Sequence, residues 1–166
     1  IAMLTHARRI EFYGVGNSGI VAQDAQHKFF RFGMSTVAYS DPHIQLMAAA
    51  VLSDQDVLVV FSNSGSSINV LESVTIAKSN GASVIAITRA DSSLAHLADC
   101  VLNVAAQEDS EQYTPMVSRL LQLVVVDILA IGLALRLGET ASLQLEKGKR
   151  SIHNRRVETE HEQEAQ

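Results

Sequence analysis

The sequence alternates short β-branched runs with segments of helical spacing, and this alternation is its strongest constraint on the fold. Runs rich in Val and Ile predict strands at residues 10–14, 36–39, 57–61, 84–88 and 101–104. The segments between the strands predict helices at residues 19–32, 44–52, 66–80 and 93–98. Because consecutive parallel strands need right-handed helical crossovers, the pattern predicts an α/β fold. We expect a doubly wound three-layer sandwich around a five-stranded parallel sheet.

Composition agrees with a sheet that is covered on both faces. Of the 166 residues, 47% are hydrophobic but only 5% are aromatic, and there is no tryptophan. The core must therefore be built from Val, Ile, Leu and Ala, which suits parallel strands buried on both sides. A net charge of −5 disfavours direct contact with nucleic acid. The single cysteine, Cys100, cannot form an internal disulfide, which favours a cytoplasmic protein.

The C-terminal third contains a long apolar segment. Residues 115–137 predict one helix that Gly138 ends, and residues 120–137 are apolar almost all round. Asp127 lies near the middle of this stretch, so we expect a helix buried in the core or in a subunit interface rather than a membrane span. We divide the chain into a ligand-binding domain, residues 1–150, and a polar tail, residues 151–166. Beyond Lys147 the polar composition predicts a frayed, solvated segment.

The first predicted strand runs directly into a glycine-rich loop with the sequence GVGNSG, residues 14–19. Glycine allows a sharp turn, and Gly16, Asn17 and Ser18 come at the predicted start of a helix, where free amides and the helix dipole favour an anion. The loop also matches the G-x-G-x-x-G fingerprint of dinucleotide-binding domains, with Asp41 as a candidate acid for the ribose. This loop alone is compatible with either a phosphate group or a dinucleotide.

A second loop, SNSGSS at residues 62–67, follows the third predicted strand in the same way. Its four serines surround one glycine, and hydroxyls together with backbone amides can satisfy phosphate oxygens without lysine or arginine. Both loops follow the carboxyl ends of strands, where open α/β sheets bind ligands. The alternative is that these serines and glycines only cap helices. Two such loops in one sheet favour a phosphomonoester site.

With both loops in place, residues 9–137 resemble the sugar isomerase (SIS) domain. Within that superfamily, FFRFG at residues 29–33, YSDPH at residues 39–43 and SIHNRR at residues 151–156 resemble the effector domain of RpiR-family transcriptional regulators, and most of all its HexR-type members. The resemblance implies that the second loop surrounds a phosphate. The hydroxyls of Ser62, Ser64 and Ser67 and the amide of Asn63 would then bind it, with Ser18 contacting the sugar or the phosphate from the facing side.

The resemblance also implies partners. HexR-type regulators carry a helix-turn-helix domain upstream of the SIS domain, and we expect no such segment in this chain. They respond to 2-keto-3-deoxy-6-phosphogluconate, which releases them from DNA. SIS domains usually pair, so we expect a homodimer or higher homo-oligomer. DNA would be reached only through the missing N-terminal domain, and we expect no membrane, no cofactor and no metal.

Three functions remain open. A ligand-sensing regulatory domain is favoured, without catalytic residues. A phosphosugar isomerase would need a base, and Glu111, which we also place among the ligand-binding residues, is the best candidate. His27, His43 and His96 are weaker candidates, since each is explained as well by a surface or turn position. A dinucleotide-binding domain is the third possibility. Arg89, just past the fourth strand, could meet a substrate carboxylate, but the role of a surface arginine at a strand end explains it better.

Overall fold

The computed structural model describes residues 1–104 and 116–161, with side chains up to residue 153. The strands are β1 Arg9–Tyr13, β2 Thr36–Tyr39, β3 Asp56–Phe61, β4 Ser83–Thr88 and β5 Cys100–Asn103. The helices are α1 Ala2–His6, α2 Asn17–Phe29, α3 Pro42–Ala49, α4 Ile68–Ser79, α5 Ser93–Leu97, α6 Val117–Leu137 and α7 Glu139–His161. A 3-10 turn at Phe30–Phe32 follows α2.

The strands form one five-stranded parallel sheet in the order β2-β1-β3-β4-β5. The predicted α/β fold is confirmed. The chain leaves β1 toward one edge of the sheet, returns to β3 beside β1, and then proceeds toward the other edge. The connections after β1 and β3 therefore diverge, and this is the point at which open α/β sheets form a ligand crevice at the carboxyl ends of the strands.

The core consists of two layers, one on each face of the sheet. Alternate residues of β3 belong to different layers: Val57, Val59 and Phe61 pack with α1, α2 and α6, whereas Leu58 and Val60 pack with α3, α4 and α5. Every residue of β3 is buried. This explains why the central strand has a continuous apolar sequence instead of an alternating one.

Local signals account for most element boundaries. The Asp41 carboxylate accepts a 3.0 Å hydrogen bond from the Ile44 amide, and Pro42 occupies the first turn of α3. Asn80 follows α4, and Gly81 has a φ of 89°. Gly138 ends α6 with a φ of 57°. The predicted helix start at Pro115 lies outside the described residues.

Helix α6 is long and apolar enough to cross a membrane by length and composition, yet one of its faces belongs to the core. Val126, Ala130 and Leu133 are buried in the layer that covers the sheet. Lys28 of α2 pairs with Asp127 on the flank of α6 and also with Asp24, at 2.9 Å. The face of α6 that points away from the sheet is apolar and exposed.

Two helices were not predicted. The short helix α1 packs against α6. The expectation of a frayed segment beyond Lys147 is wrong for the described backbone, because α7 runs without a break to His161 and packs against α6 and the 3-10 turn. Polar composition concealed this helix, because Ala141 is its one buried residue within residues 139–153. The division of the chain at residue 150 stays a prediction.

Candidate functional site

The two glycine- and serine-containing loops meet in one cleft of about 290 Å³ at the carboxyl edge of the sheet. Because β1 and β3 are neighbours, the loops that follow them face each other. Polar and apolar side chains from both loops and the adjoining elements line the cleft: Val15, Ser18, Phe61, Ser62, Asn63, Ser64, Ser67 and Val70. The structure therefore brings together five of the predicted site residues, with Ser18 of the first loop placed beside the four residues of the second loop.

Internal hydrogen bonds hold the serine loop in shape. The Ser62 hydroxyl accepts a 3.1 Å hydrogen bond from the Gly65 amide, and the Ser62 amide donates to the carbonyl of Ile87 at 3.2 Å. Ser64 accepts from the amide and the hydroxyl of Ser66, at 3.3 and 3.1 Å. Ser62 and Ser64 accept in these bonds, so their own hydroxyl protons remain available to donate to a ligand oxygen.

The helices that start at the two loops have no side-chain caps, unlike two other helices of the domain. Ser67 is the N-cap residue of α4 and Gly16 that of α2, but neither helix has a side-chain capping hydrogen bond. By contrast, Asp41 caps α3 and Ser92 caps α5. The alternative that the serines of the second loop serve as helix caps is therefore not supported. Ser67 gives the first-turn amides of α4 no side-chain cap, which is the arrangement that an anion can satisfy.

None of the described residues that line the cleft carries a charge. Hydroxyls, a carboxamide and the positive ends of two helix dipoles thus supply the electrostatics of the cleft. The Asn63 side-chain oxygen is buried and has no hydrogen-bond partner among the described residues. Such an atom costs free energy unless it meets a hydrogen-bond donor, such as a water or a ligand hydroxyl.

The remaining predicted site residues lie elsewhere. Gly16, with a φ of 60°, and Asn17 form the start of α2 but do not line the cleft. Glu111 falls outside the described residues. Asp41 is used to cap α3, which argues against the dinucleotide alternative that assigned it to a ribose. Arg89 is exposed just past β4 and does not line the cleft.

The histidines considered as bases are also away from the cleft. His27 packs against the ring of Phe30 at the far end of α2, with ring centroids 5.6 Å apart. His43 lies in the first turn of α3. His96 contacts the Ser92 carbonyl through Nδ1 at 2.8 Å. None of the three lines the cleft, so the described residues contain no candidate base there.

Two polar supports of the loops were missed from the sequence. Gln45 is fully buried, and its amide nitrogen donates to the carbonyls of Gly14, at 3.1 Å, and Tyr39, at 2.8 Å. Thr88 and Ser92 are buried beside the serine loop. The available sequence signal for Gln45 was a glutamine within a largely apolar stretch of α3. Thr88 and Ser92 gave no signal, because hydroxyl residues at the end of a strand are common.

Comparisons with known proteins agree with the fold and the loops. The SIS domain family model matches residues 3–132. The bifunctional protein glk of Burkholderia thailandensis is 49% identical over 136 residues, which are 82% of this chain and 21% of that protein. The HTH-type transcriptional regulator HexR of Pseudomonas aeruginosa is 41% identical over 92% of this chain and 53% of its own length.

The same fold is found in a solved structure, the NanR protein of Vibrio vulnificus complexed with ManNAc-6P. It superposes with a TM-score of 0.84 at 23% identity and covers 92% of this chain and 58% of that one. The chain thus spans about one fifth of the glk relative and about half of the HexR relative. The resemblance drawn from the two loops is confirmed, and the chain belongs to the SIS domain family.

Proposed function

We propose that this domain senses a sugar phosphate on behalf of a cytoplasmic transcriptional regulator. The observation that carries the proposal is the cleft itself, in which four serines and one asparagine from two loops face the same volume and no charged side chain stands among the described lining residues. A small dianion matches this donor set, because several neutral donors and two helix starts can share its charge. The 41% sequence identity with the transcriptional regulator HexR over most of this chain supports a role in a transcriptional regulator.

The loops have different roles in this proposal. Ser62, Ser64, Ser67 and Asn63 bind the phosphate, since all four belong to the serine loop and the start of α4. Ser18 lies across the cleft and contacts the sugar or the phosphate from the facing side. The apolar side chains of Val15 and Val70 border the same cleft and limit its width.

We assign 2-keto-3-deoxy-6-phosphogluconate as the effector. The support is the resemblance to HexR-type regulators, which respond to this compound. Its phosphate matches the serine loop, while its carboxylate needs a further donor, for which Arg89 at the end of β4 is a candidate. A calorimetric screen of phosphorylated sugars and sugar acids tests the assignment, and tighter binding of another compound would contradict it.

The domain acts as a homodimer, and we place the interface on the exposed face of α6. Its apolar side chains are spaced by three and four residues: Val117, Leu121, Val124, Ile128, Ile131 and Leu135. This α6 stripe has the heptad spacing of a helix that packs against a second helix. A bound phosphosugar bridges the two loops and shifts the population toward one arrangement of the dimer, which moves an attached DNA-binding domain.

Removing single hydroxyls tests the site. Ser62→Ala and Ser18→Ala should each weaken the binding of 2-keto-3-deoxy-6-phosphogluconate by roughly 10- to 150-fold if the hydroxyl donates to a charged oxygen, because such hydrogen bonds contribute about 1.5–3 kcal/mol. Ser79→Ala, at the exposed far end of α4, is the control and should bind like the wild type. Unchanged affinity in both cleft variants would show that the site is wrongly assigned.

The second candidate function is phosphosugar isomerisation with Glu111 as the base. Incubation with aldose and ketose phosphates, followed by NMR of the products, separates the two functions. We expect no turnover. Isomerisation that is abolished by Glu111→Ala would refute the proposal that the domain only senses its ligand.

A further inference from the structure

The serine loop rests against the turn between β4 and α5, and the contact is centred on Gly65. This glycine is buried and has a φ of 62°, a conformation that side-chain-bearing residues rarely adopt. A Cβ at this position would lie 2.2 Å from the Ser92 hydroxyl oxygen and 2.5 Å from that of Thr88. The backbone of the loop thus reaches the two hydroxyls as closely as a residue without a side chain allows.

The hydrogen bonds of the turn show which of the two hydroxyls donates to the other. Ser92 donates to the carbonyl of Arg89 at 2.7 Å and accepts from the amide of Ala95 at 3.2 Å. Since its single proton is used, the 3.3 Å contact between Thr88 and Ser92 is one in which Thr88 donates. Thr88 is completely buried and Ser92 is 7% exposed, so solvent cannot replace this bond.

Backbone bonds attach the serine loop to the two elements that flank this turn, α5 and β4. The Leu94 amide donates to the carbonyl of Gly65 at 3.0 Å, and the Ser62 amide donates to the carbonyl of Ile87 at 3.2 Å. The turn is itself anchored to β5, because Asn103 accepts a hydrogen bond from the Ala90 amide at 3.1 Å. The loop is thus fixed from β4 and β5, and not only from the strand that it follows.

On the basis of the proposed function, we propose that Thr88 and Ser92 are positioning residues for the phosphate. Neither lines the cleft, so neither touches the ligand. Their hydroxyls fix the distance between Gly65 and β4. Gly65 in turn donates to Ser62, which orients the Ser62 hydroxyl toward the cleft. Loss of the Thr88 hydroxyl lets the loop shift and weakens phosphate binding without removing a single ligand contact.

Thr88→Val is the decisive variant, because it keeps the shape of the side chain, removes the hydroxyl and leaves the cap of α5 in place. The probe is inorganic phosphate, titrated by NMR while the Gly65 and Ser62 amide resonances are followed. We expect both resonances to shift in the free protein and the phosphate dissociation constant to rise about 3- to 10-fold, the loss of one neutral hydrogen bond. Thr88→Ser, which keeps the hydroxyl, should restore both readouts.

Gly65→Ala and Gly138→Ala form a matched pair. Both glycines have a similar positive φ, 62° and 57°, but a Cβ at Gly138 would meet nothing within 4 Å. Phosphate binding should be lost in Gly65→Ala and kept in Gly138→Ala, although the positive φ destabilises both variants. If Gly65→Ala does not fold, the Thr88 pair still decides the question.

Two results would overturn the inference in different ways. Unchanged amide resonances or an unchanged phosphate affinity in Thr88→Val would show that the turn does not position the loop, with the sensing function left intact. No binding of phosphate to the wild type at millimolar concentration would refute the proposed function and, with it, the positioning role. A merely structural role for Thr88 would lower the melting temperature but leave the phosphate affinity of the folded protein unchanged.

Discussion

The α6 stripe allows a quantitative prediction about assembly. Its six side chains expose between 39% and 79% of their surface, and Ile128, near the centre, exposes 62%. An apolar patch of this length on one helix is unusual for a surface that stays in contact with water. Ile128→Asp places a charge in the middle of the stripe, while the opposite face of α6 keeps its contacts with the sheet.

The magnitude follows from the exposed fraction. Complete burial of an isoleucine side chain is worth about 1.5–3 kcal/mol, so burial of the exposed 62% of Ile128 in both protomers contributes roughly 2–4 kcal/mol to a dimer. Because each 1.4 kcal/mol is a factor of ten, losing it weakens the dimer by about 30- to 700-fold. Desolvation of two introduced carboxylates adds to this loss, so the calculated range is a lower limit.

Sedimentation velocity over a range of protein concentrations measures the effect. The wild type should be dimeric at micromolar concentration, and Ile128→Asp should be a folded monomer with the same circular dichroism. Ile68→Asp is the matched control, because Ile68 is 72% exposed on α4 at the other face of the sheet. A monomeric wild type, or equal dimer affinities for the wild type and Ile128→Asp, would refute the reasoning.

Two further predictions concern buried polar groups. Burial raises the pKa of Glu11 above its ordinary value of 4.5, although Tyr13 donates a 2.6 Å hydrogen bond to it. The folded state therefore holds a proton that the unfolded state has released, and the contribution of Glu11 to stability falls as the pH rises from about 4.5 through the folded pKa. Tyr13→Phe should raise the pKa of Glu11 further and lower the free energy of unfolding at pH 7 by about 1.5–3 kcal/mol. Urea denaturation at several pH values measures this, and a free energy that does not change with pH below neutrality would contradict it. Gln45→Leu leaves the Gly14 carbonyl without its side-chain donor and the Tyr39 carbonyl with only the 3.4 Å bond from the Gly14 amide, and it should cost about 1–3 kcal/mol in the same assay; wild-type stability would show that water replaces the amide.

Periodicity was enough to predict the sheet but not every helix. The apolar runs placed all five strands to within about a residue. The signal is clearest for β3, which is buried on both faces and almost continuously apolar. Helix α7 was mistaken for a frayed tail, because it covers little apolar surface. The sequence predicted that α6 is buried either in the core or in a subunit interface, but not in both. In the structure one apolar face of α6 packs in the core and the other is exposed, so a helix that is apolar all round can serve both purposes.

The sequence was enough to predict the hydrogen-bond donors of the site, but not the residues that hold its loops in place. Ser62, Ser64 and Ser67 cluster in the sequence, so their shared chemistry is visible there. Thr88 and Gln45 act through contacts across 23 and 31 positions, with Gly65 and Gly14. No local pattern records such contacts, because they depend on which strands are neighbours.

Strand order is what turns two ambiguous loops into one site. Residues 14–19 alone fit a dinucleotide, and residues 62–67 alone fit a serine-rich helix start. Only the adjacency of β1 and β3 makes them face each other across 290 Å³. The capping pattern then distinguishes the two uses of hydroxyl residues in this fold: Ser92 caps its helix and supports the loop, whereas Ser67 leaves its helix uncapped and faces the cleft. A serine that only ended a loop would cap the helix that follows it, so the missing cap at Ser67 is the local feature that favours a ligand.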